Sequence, residues 1–266
     1  MANALTPGGG YRKGDGAQEE NLFRRSNYYL KTTEMKSLDI KQRSLYPIDE
    51  YGGIYTSGIT VLRGIEANGY PFSSKPLYNV CSLAIAAFRN PPVHDNNRLS
   101  LKYAIDTRKK IENFFEIAHQ HGHNCLILSA LGCGAFKNPP EHIALIFKSV
   151  IIQYAGFFQN IIFSIIDDHN TGNQMNPNGN FLPFQKVLDG FSVRPVMNLS
   201  IGMAIGPYYI IESQNKDKSV RFDHISILHL PLCEYGTKCR NLNDSKHIVN
   251  HIVIHHYVQW NRNVST

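Results

Sequence analysis

Residues 125–166 hold two apolar segments separated by a glycine loop and a helical segment, an order that few folds accommodate. Cys125–Ala130 reads CLILSA, and Asn160–Ile166 reads NIIFSII. Between them a helix is predicted from Glu141 to about Tyr154, behind two prolines that suit a first helical turn because proline lacks the N–H that would be unpaired there. Continuously apolar strands joined by a helix predict strands buried on both faces, in a parallel or mixed sheet covered by helices.

Weaker signals extend this pattern toward the N-terminus. Apolar runs at Ile59–Leu62 and Val80–Ala87 predict two more strands. From Leu99 to Gln120 apolar residues recur at helical spacing, and Gly122 stands where that helix would stop. With 42% hydrophobic and 18% charged residues in 266, a wholly disordered, collagen-like or coiled-coil chain is excluded. We therefore expect an α/β fold.

The charge, the cysteines and the N-terminus bear on compartment and partners. The opening MANALTPGGG resembles no secretory signal, and polar residues interrupt the apolar stretch 143–166, so no membrane span is expected. Five scattered cysteines favour a reducing, intracellular compartment, nucleus or cytoplasm. Lys and Arg exceed Asp and Glu by 27 − 21 = 6, which favours an anionic partner.

Three successive glycines, Gly8, Gly9 and Gly10, are followed after seven residues by Gln18-Glu19-Glu20. Glycines let backbone N–H groups approach a ligand closely, and a run of such groups forms a concave anion site suited to phosphate. Two acids beside phosphate are electrostatically unfavourable unless one of them transfers a proton, its pKa being raised by its neighbours. The alternative interpretation is a flexible turn followed by the solvated first turn of a helix.

A second glycine loop, Leu131–Asn138 (LGCGAFKN), connects the predicted strand to the helix. At this position backbone N–H groups point toward an anion, although an ordinary glycine-containing connection remains an alternative. Neither loop has the Gly-x4-Gly-Lys-Ser/Thr pattern of nucleotide triphosphatases. Because no neighbouring base is identifiable, we interpret Cys133 as a small residue fitting a tight loop rather than as a nucleophile.

Three stretches together resemble the macrodomain-type poly(ADP-ribose) glycohydrolases, over about residues 2–190. They are TPGGGYRKGDGAQEENLFRRSNYY, ALGCGAFKNPPEHIA and, as in the microbial-type branch, FSIIDDHNTGNQMNPNGNFLPF. The resemblance implies a three-layer α/β/α macrodomain with a mixed sheet. It also implies hydrolysis of ribose–ribose O-glycosidic bonds in poly(ADP-ribose) without a metal.

The same resemblance assigns roles by position. Glu20 is implied to be the catalytic acid/base and Glu19 to hold ribose hydroxyls, while the two glycine loops clasp the diphosphate from opposite sides and Phe136 packs against the terminal ribose. Such a reaction passes through an oxocarbenium-like state that a nearby diphosphate stabilises. The implied substrate-binding residues are Asn3, Gly8, Gly9, Gly10, Gln18, Gly132, Cys133, Gly134, Ala135 and Phe136.

The domain layout has one departure from the family. There, a strand and helix precede the first glycine loop, whereas here the glycines begin at residue 8. We expect the sheet to lack its first strand or strands. Either later segments or a partner chain substitute at the unpaired edge, or the chain is a fragment with poor stability. The predicted units are the macrodomain-like residues 1–195, a connecting segment 196–228 and a Cys/His module 229–258.

The Cys/His module predicts a structural zinc site, since two thiolates and two imidazoles suit tetrahedral Zn²⁺. CEYGTKCR, with Cys233 and Cys239, resembles the first half of a poly(ADP-ribose)-binding zinc finger, and His247 fits the third ligand. For the fourth ligand we favour His251, with His255 and His256 as alternatives, because His251 and His255 would share one helix face. Free thiols with surface histidines are the other interpretation.

The partners expected are poly(ADP-ribose), ADP-ribose and ADP-ribosylated proteins, with no membrane and no direct DNA binding. The intact acid pair favours a hydrolase. The alternative is a catalytically silent ADP-ribose reader, and a general nucleic-acid binder is a third, weaker candidate.

Overall fold

The structure is a computed structural model that describes residues 2–33, 45–94, 97–172, 176–191, 193–195, 209–211 and 251–258. Its helices are α1 (Gln18–Arg25), α2 (Tyr28–Thr33), α3 (Leu101–Gln120), α4 (Pro140–Gln153) and α5 (Phe181–Leu188), with a 3-10 turn at Glu66–Asn68. Its strands are β1 (Ile54–Arg63), β2 (Phe72–Ala84), β3 (Val93–His94), β4 (Arg98–Leu99), β5 (Cys125–Leu128), β6 (Asn160–Asp167), β7 (Val193–Pro195), β8 (Tyr209–Ile211) and β9 (His251–Val258).

The strand–helix–strand passage forms a parallel sheet in the order β5–β6–β9. Cys125 lies opposite Asn160, which lies opposite His251 on its other side. The connection from β5 to β6 runs through α4, as a parallel pair requires. The predicted α/β class is confirmed, and the predicted α3 and α4 differ from the observed helices by one or two residues at their ends.

The sheet buries one of its faces. Leu126, Leu128 and Phe163 are buried in a cluster with side chains of α3, α4 and α5. The alternate residues point the other way, and Ile127 is 59% and Ile166 48% exposed. The expectation of strands buried on both faces is therefore wrong for β5 and β6 among the described residues, and the three-layer arrangement stays a prediction. A continuous apolar run does not by itself reveal whether a second layer covers it.

A long antiparallel hairpin, β1–β2, lies beside this sheet and its helices. Ile54 pairs with Ala84 and Arg63 with Phe72, with irregularities between them, so both strands are longer than the predicted 59–62 and 80–87. Phe23 of α1 packs with Ile59 of β1 in a small cluster. The hairpin contacts the residue that follows α3, because the Tyr55 ring stacks on His121 with ring centroids 3.7 Å apart.

The C-terminal strand corrects one prediction. His251 and His255 were expected on one helix face, but their backbone lies in β9, paired with β6. The last eight residues of the predicted module 229–258 therefore extend the sheet, and a later segment supplies its third strand. Cys233, Cys239 and His247 lie outside the described residues. Within the described part of the chain, no three His, Cys, Asp or Glu residues are grouped to hold a metal ion.

Among the helices in the described ranges, none combines the length and apolar character needed to cross a bilayer.

Candidate functional site

The two acids of the QEE triplet are buried at the start of α1. Glu19 is 6% and Glu20 8% exposed, which contradicts the alternative of a solvated first turn. Acids in this position interact favourably with the positive end of the helix dipole. Glu19 accepts hydrogen bonds at Oε2 from the N–H of Asn3 (2.6 Å) and at Oε1 from the N–H of Gly8 (3.0 Å) and the Tyr46 hydroxyl (3.3 Å).

Glu20 is held by the same glycine loop. Its Oε1 accepts a hydrogen bond from the N–H of Gly10 at 3.3 Å. Gly8 and Gly9 have left-handed φ angles of 70° and 48°, and a Cβ on Gly9 would lie 2.3 Å from that carboxylate oxygen. A Cβ on Gly8 would lie 2.4 Å from the ring of Phe23. The loop needs glycine because the backbone passes directly over α1.

The N–H groups of the first glycine loop donate to oxygens of the protein itself. The N–H groups of Gly8 and Gly10 donate to the two carboxylates, and that of Gly9 donates to the carbonyl of Thr6 at 3.2 Å. In this arrangement the three glycine N–H groups have protein acceptors, and the loop positions Glu19 and Glu20. Contact of this loop with a diphosphate stays a prediction.

Asn3 and Tyr46 complete the surroundings of Glu19. The side-chain oxygen of Asn3 accepts hydrogen bonds from the N–H groups of Leu5 and Thr6, so it stabilises a local turn, while its own N–H holds Glu19. Tyr46 was missed because it is 27 residues away along the chain and no motif marks it.

Burial sets the electrostatics of this pair. Desolvation raises the pKa of Glu19, against the opposing effect of the N–H groups of Asn3 and Gly8, and the nearby Glu20 raises it further. Burial next to Glu19 likewise raises the pKa of Tyr46. A raised carboxyl pKa was expected in this pair, and the structure assigns the shift to Glu19.

The second glycine loop, unlike the first, has backbone N–H groups that are free to bind a ligand. Gly134 and Phe136 are half-buried and Ala135 is exposed, and within the described residues the N–H groups of these three donate to no protein acceptor. Such a group of free donors, leading toward the N-terminus of α4, is suited to an anion. The Cys133 thiol is fully buried, which raises its pKa, and its Sγ donates to the carbonyl of Leu131. These features favour the packing interpretation over the nucleophile.

Two buried asparagines support this loop, and sequence reasoning missed both. Asn138 is 1% exposed, and its Nδ2 lies within hydrogen-bond distance of the carbonyls of Phe88, Gly132 and Phe136, at 2.8, 3.1 and 3.2 Å. From the other side, Asn176 Nδ2 donates to the carbonyl of Cys133 at 3.1 Å. In the sequence, the feature that could have identified these two asparagines is their position near Pro and Gly residues, which form turns.

The start of α1 contacts the chain at the carboxyl end of β5, just before the second glycine loop. Ser129, the residue after that strand, donates from Oγ to Gln18 Oε1 at 3.2 Å, and Gln18 directly precedes the acid pair. Phe136 lies 5.7 Å from the guanidinium of Arg89. The structure thus brings together the acid pair, Gln18 and the start of the second loop, at the sheet edge where ligands of α/β folds bind.

Comparison with known proteins adds a family likeness. Residues 1–64 match the model of the microbial-type PARG catalytic domain, PARG being poly(ADP-ribose) glycohydrolase. The crystal structure of the PARG from Thermomonospora curvata is similar, with 26% identity, a TM-score of 0.51 and coverage of 70% of this chain. The chain spans 66% of that protein, just under two thirds.

A threonine-to-lysine variant of the Deinococcus radiodurans PARG, solved in complex with ADP-ribose, is also similar. It has 22% identity and a TM-score of 0.56, over 71% of this chain and 73% of that one. No curated protein matches the chain. Together with the site geometry, these likenesses show that the chain has the α/β fold of the solved glycohydrolases.

Proposed function

We propose that the protein hydrolyses ribose–ribose O-glycosidic bonds of poly(ADP-ribose) and releases ADP-ribose. One observation carries the proposal. Two buried carboxylates at the start of α1 are joined, through the hydrogen bond between Gln18 and Ser129, to a loop with free backbone donors. This combination provides a proton-transferring group beside an anion site, as cleavage next to a diphosphate requires.

Within this proposal Glu20 is the general acid/base. The hydrogen-bond donors to Glu19 occupy both of its carboxylate oxygens, whereas Glu20 accepts only at Oε1 among the described residues. The second oxygen of Glu20 is therefore available to exchange a proton. Glu20 protonates the departing ribose oxygen, the sugar develops oxocarbenium character, and the resulting carboxylate takes a proton from the attacking water.

The remaining residues bind and orient. The N–H groups of Gly134, Ala135 and Phe136 hold the diphosphate, and the Phe136 ring packs against the terminal ribose. Glu19 stays close enough to bind ribose hydroxyls, and its contacts with Asn3 and Gly8 fix the first turn of α1. Free ADP-ribose, poly(ADP-ribose) and ADP-ribosylated proteins are the proposed partners.

Substitution of Glu20 tests the reaction. Glu20→Gln keeps the shape of the side chain and removes the proton exchange, so release of ADP-ribose from purified polymer should fall by about 10²–10⁴-fold. Its dissociation constant for ADP-ribose, measured by calorimetry, should stay within about threefold. Unchanged release would remove Glu20 from the mechanism. A wild-type chain that binds ADP-ribose and releases none would identify the silent reader instead.

Zinc at the C-terminal end remains a separate proposal. Cys233, Cys239 and His247 would be its ligands, with His251 as the fourth, and its role would be structural. Metal analysis of protein purified without added metal should find one zinc per chain, and Cys233→Ser with Cys239→Ser should abolish it. Folded, metal-free wild-type protein would refute the site.

A further inference from the structure

One side of α1 continues into a surface strip of arginines and aromatic rings that the proposed reaction does not use. We call it the cationic strip and define it as Arg24, Arg25, Arg63, Tyr70 and Phe72. Arg24 Nη1 and Arg63 Nη1 contact Tyr70, at its hydroxyl (3.4 Å) and its carbonyl (3.2 Å). Arg25 Nε donates to the carbonyl of Arg63 at 3.2 Å, so the strip is continuous from α1 to the hairpin.

The three arginines of the strip are half-buried. Within the described residues, none of the three arginines forms an ion pair with a carboxylate. Of the acids near the strip, Glu66 accepts a hydrogen bond from Asn21, Glu20 accepts one from the N–H of Gly10, and the Asp15 carboxylate lies against Gly10. Partly desolvated cations without counterions are costly, and a bound anion would relieve that cost.

Phe72 gives the strip a second property. Its side chain is 72% exposed, and the guanidinium of Arg63 lies 3.9 Å from its ring centroid. An exposed aromatic ring beside cations is the combination that binds single-stranded polymers of nucleotides, because bases stack on the ring while phosphates pair with the cations.

The strip also begins next to the acid pair. Arg24 follows Glu20 by four residues in α1, so the two side chains share one face of the helix about one turn apart. Arg24 Nε donates to the carbonyl of Tyr11 at 3.0 Å, and its Nη2 donates to that of Asp15, so it also fixes the segment that joins the first glycine loop to α1.

We propose that the cationic strip binds the poly(ADP-ribose) chain beyond the bond that is cleaved, with diphosphate on its arginines and adenine stacked on Phe72. The inference rests on the proposed function for the position of the cleaved bond. The proposed ligand of the cationic strip is an anionic polymer that carries bases, because the strip combines cations with an exposed aromatic ring. The strip makes long chains bind more tightly than free ADP-ribose does.

Binding measurements on the full chain test this proposal. In the Glu20→Gln protein, which cannot turn over its ligand, Arg63→Gln combined with Phe72→Ala should weaken binding of long poly(ADP-ribose) by about tenfold or more, as expected for the loss of one stacked base and one phosphate contact. The dissociation constant for free ADP-ribose should stay within about twofold. Because Phe72 is largely exposed, Phe72→Ala alone provides a folded variant, and Phe72→Tyr should restore binding.

A matched control lies on α5. Lys186→Gln with Leu182→Ala removes one exposed cation and one exposed apolar side chain far along the chain from the strip, and polymer binding should not change. Equal polymer binding by the strip variant and the parent would overturn the inference. So would a parallel loss of free ADP-ribose binding.

The same set separates the two proposals. A wild-type chain that binds polymer through the strip but releases no ADP-ribose would refute the proposed function and leave the binding strip standing. If the wild-type chain cleaves the polymer and the strip variants bind the polymer as tightly as the wild type, the binding strip is refuted and the proposed function stands.

Discussion

Gly9 lies so close to Glu20 that a single methyl group would displace the carboxylate. An added Cβ would stand 2.3 Å from Oε1, well inside contact distance. Gly9→Ala should therefore lower the rate of ADP-ribose release by roughly 10²-fold, since a displacement near 1 Å is enough for such a loss. Turnover of purified polymer measures the effect.

Gly14→Ala is the matched control for that substitution. Gly14 also has a left-handed φ, 95°, but its Cβ would meet nothing within 4 Å. Both variants should lose about 1–2 kcal/mol of stability from backbone strain, and only Gly9→Ala should lose activity. Equal activity losses in the two would show that strain, rather than contact with Glu20, is responsible.

Glu19 gives the fold a pH dependence of defined sign. Because burial raises the pKa of Glu19 above its ordinary 4.5, the folded state holds the proton more tightly than the unfolded state. Its contribution to stability is therefore complete below pH 4.5 and is lost as pH rises through the raised value.

Glu19→Gln removes this titration. As pH rises above about 4.5, the free energy of unfolding of the wild type should fall relative to that of Glu19→Gln. The amide of the variant accepts hydrogen bonds at its oxygen only, whereas the carboxylate accepts at both oxygens. Urea denaturation of both proteins at several pH values measures the difference. A difference that is constant over the range, or that changes in the opposite direction, would contradict the shift.

At the residue scale, sequence could identify the acid pair and its neighbouring glycines but not their hydrogen bonds. A pattern of glycines and acids is compatible with a loop that binds phosphate and with one that binds carboxylates. Contacts from Asn3 and Tyr46, 16 and 27 residues from Glu19, depend on how the chain returns to α1, which no local pattern encodes.

At the scale of elements, β5 offers a direct test of one-sided burial. Leu128 is buried in the main core, whereas its neighbour Ile127 is exposed on the opposite face. Leu128→Ala should cost about 2–5 kcal/mol of unfolding free energy. Ile127→Ala should cost less than about 1 kcal/mol, as for an exposed side chain. Denaturant titration compares them, and similar costs would mean that the second face is also covered.

Local periodicity predicted the elements that depend on short-range sequence. The helical spacing in 99–120 and the apolar runs of β5 and β6 gave the right elements within a few residues, because amphipathic helices and buried strands have patterns of their own. The histidine-rich strand β9 was taken for a helix, since spacings of four occur on one side of either element. The pairing of this segment with β6 shows that it is a strand and not a helix.

At the scale of the molecule, the site joins segments from distant parts of the chain. The contacts of Gln18 with Ser129 and of Asn138 with Phe88 connect the acid pair, the hairpin end and the second loop. A ligand held by these segments should stabilise them together. ADP-ribose at 100 times its dissociation constant should raise the unfolding free energy by about 2.7 kcal/mol.

Thermal or chemical unfolding with and without ADP-ribose measures that linkage. The Glu20→Gln variant should show the same increase as the wild type because it keeps the binding site. Inorganic pyrophosphate at the same concentration is the control and should have a smaller effect, since it lacks the ribose and adenine. No stabilisation by ADP-ribose at saturating concentration would exclude it as a ligand of the folded chain.

The carboxylates of α1 owe their orientation mainly to backbone amides, and this affects how the site can change over evolutionary time. An amide N–H persists through every substitution at its own position except proline. Inserting or deleting a residue between Gly10 and Gln18 would therefore shift Gly8 and Gly10 out of alignment with their acceptors. Descendants of this chain should keep the number of residues between the glycines and α1 more strictly than the identities of those residues.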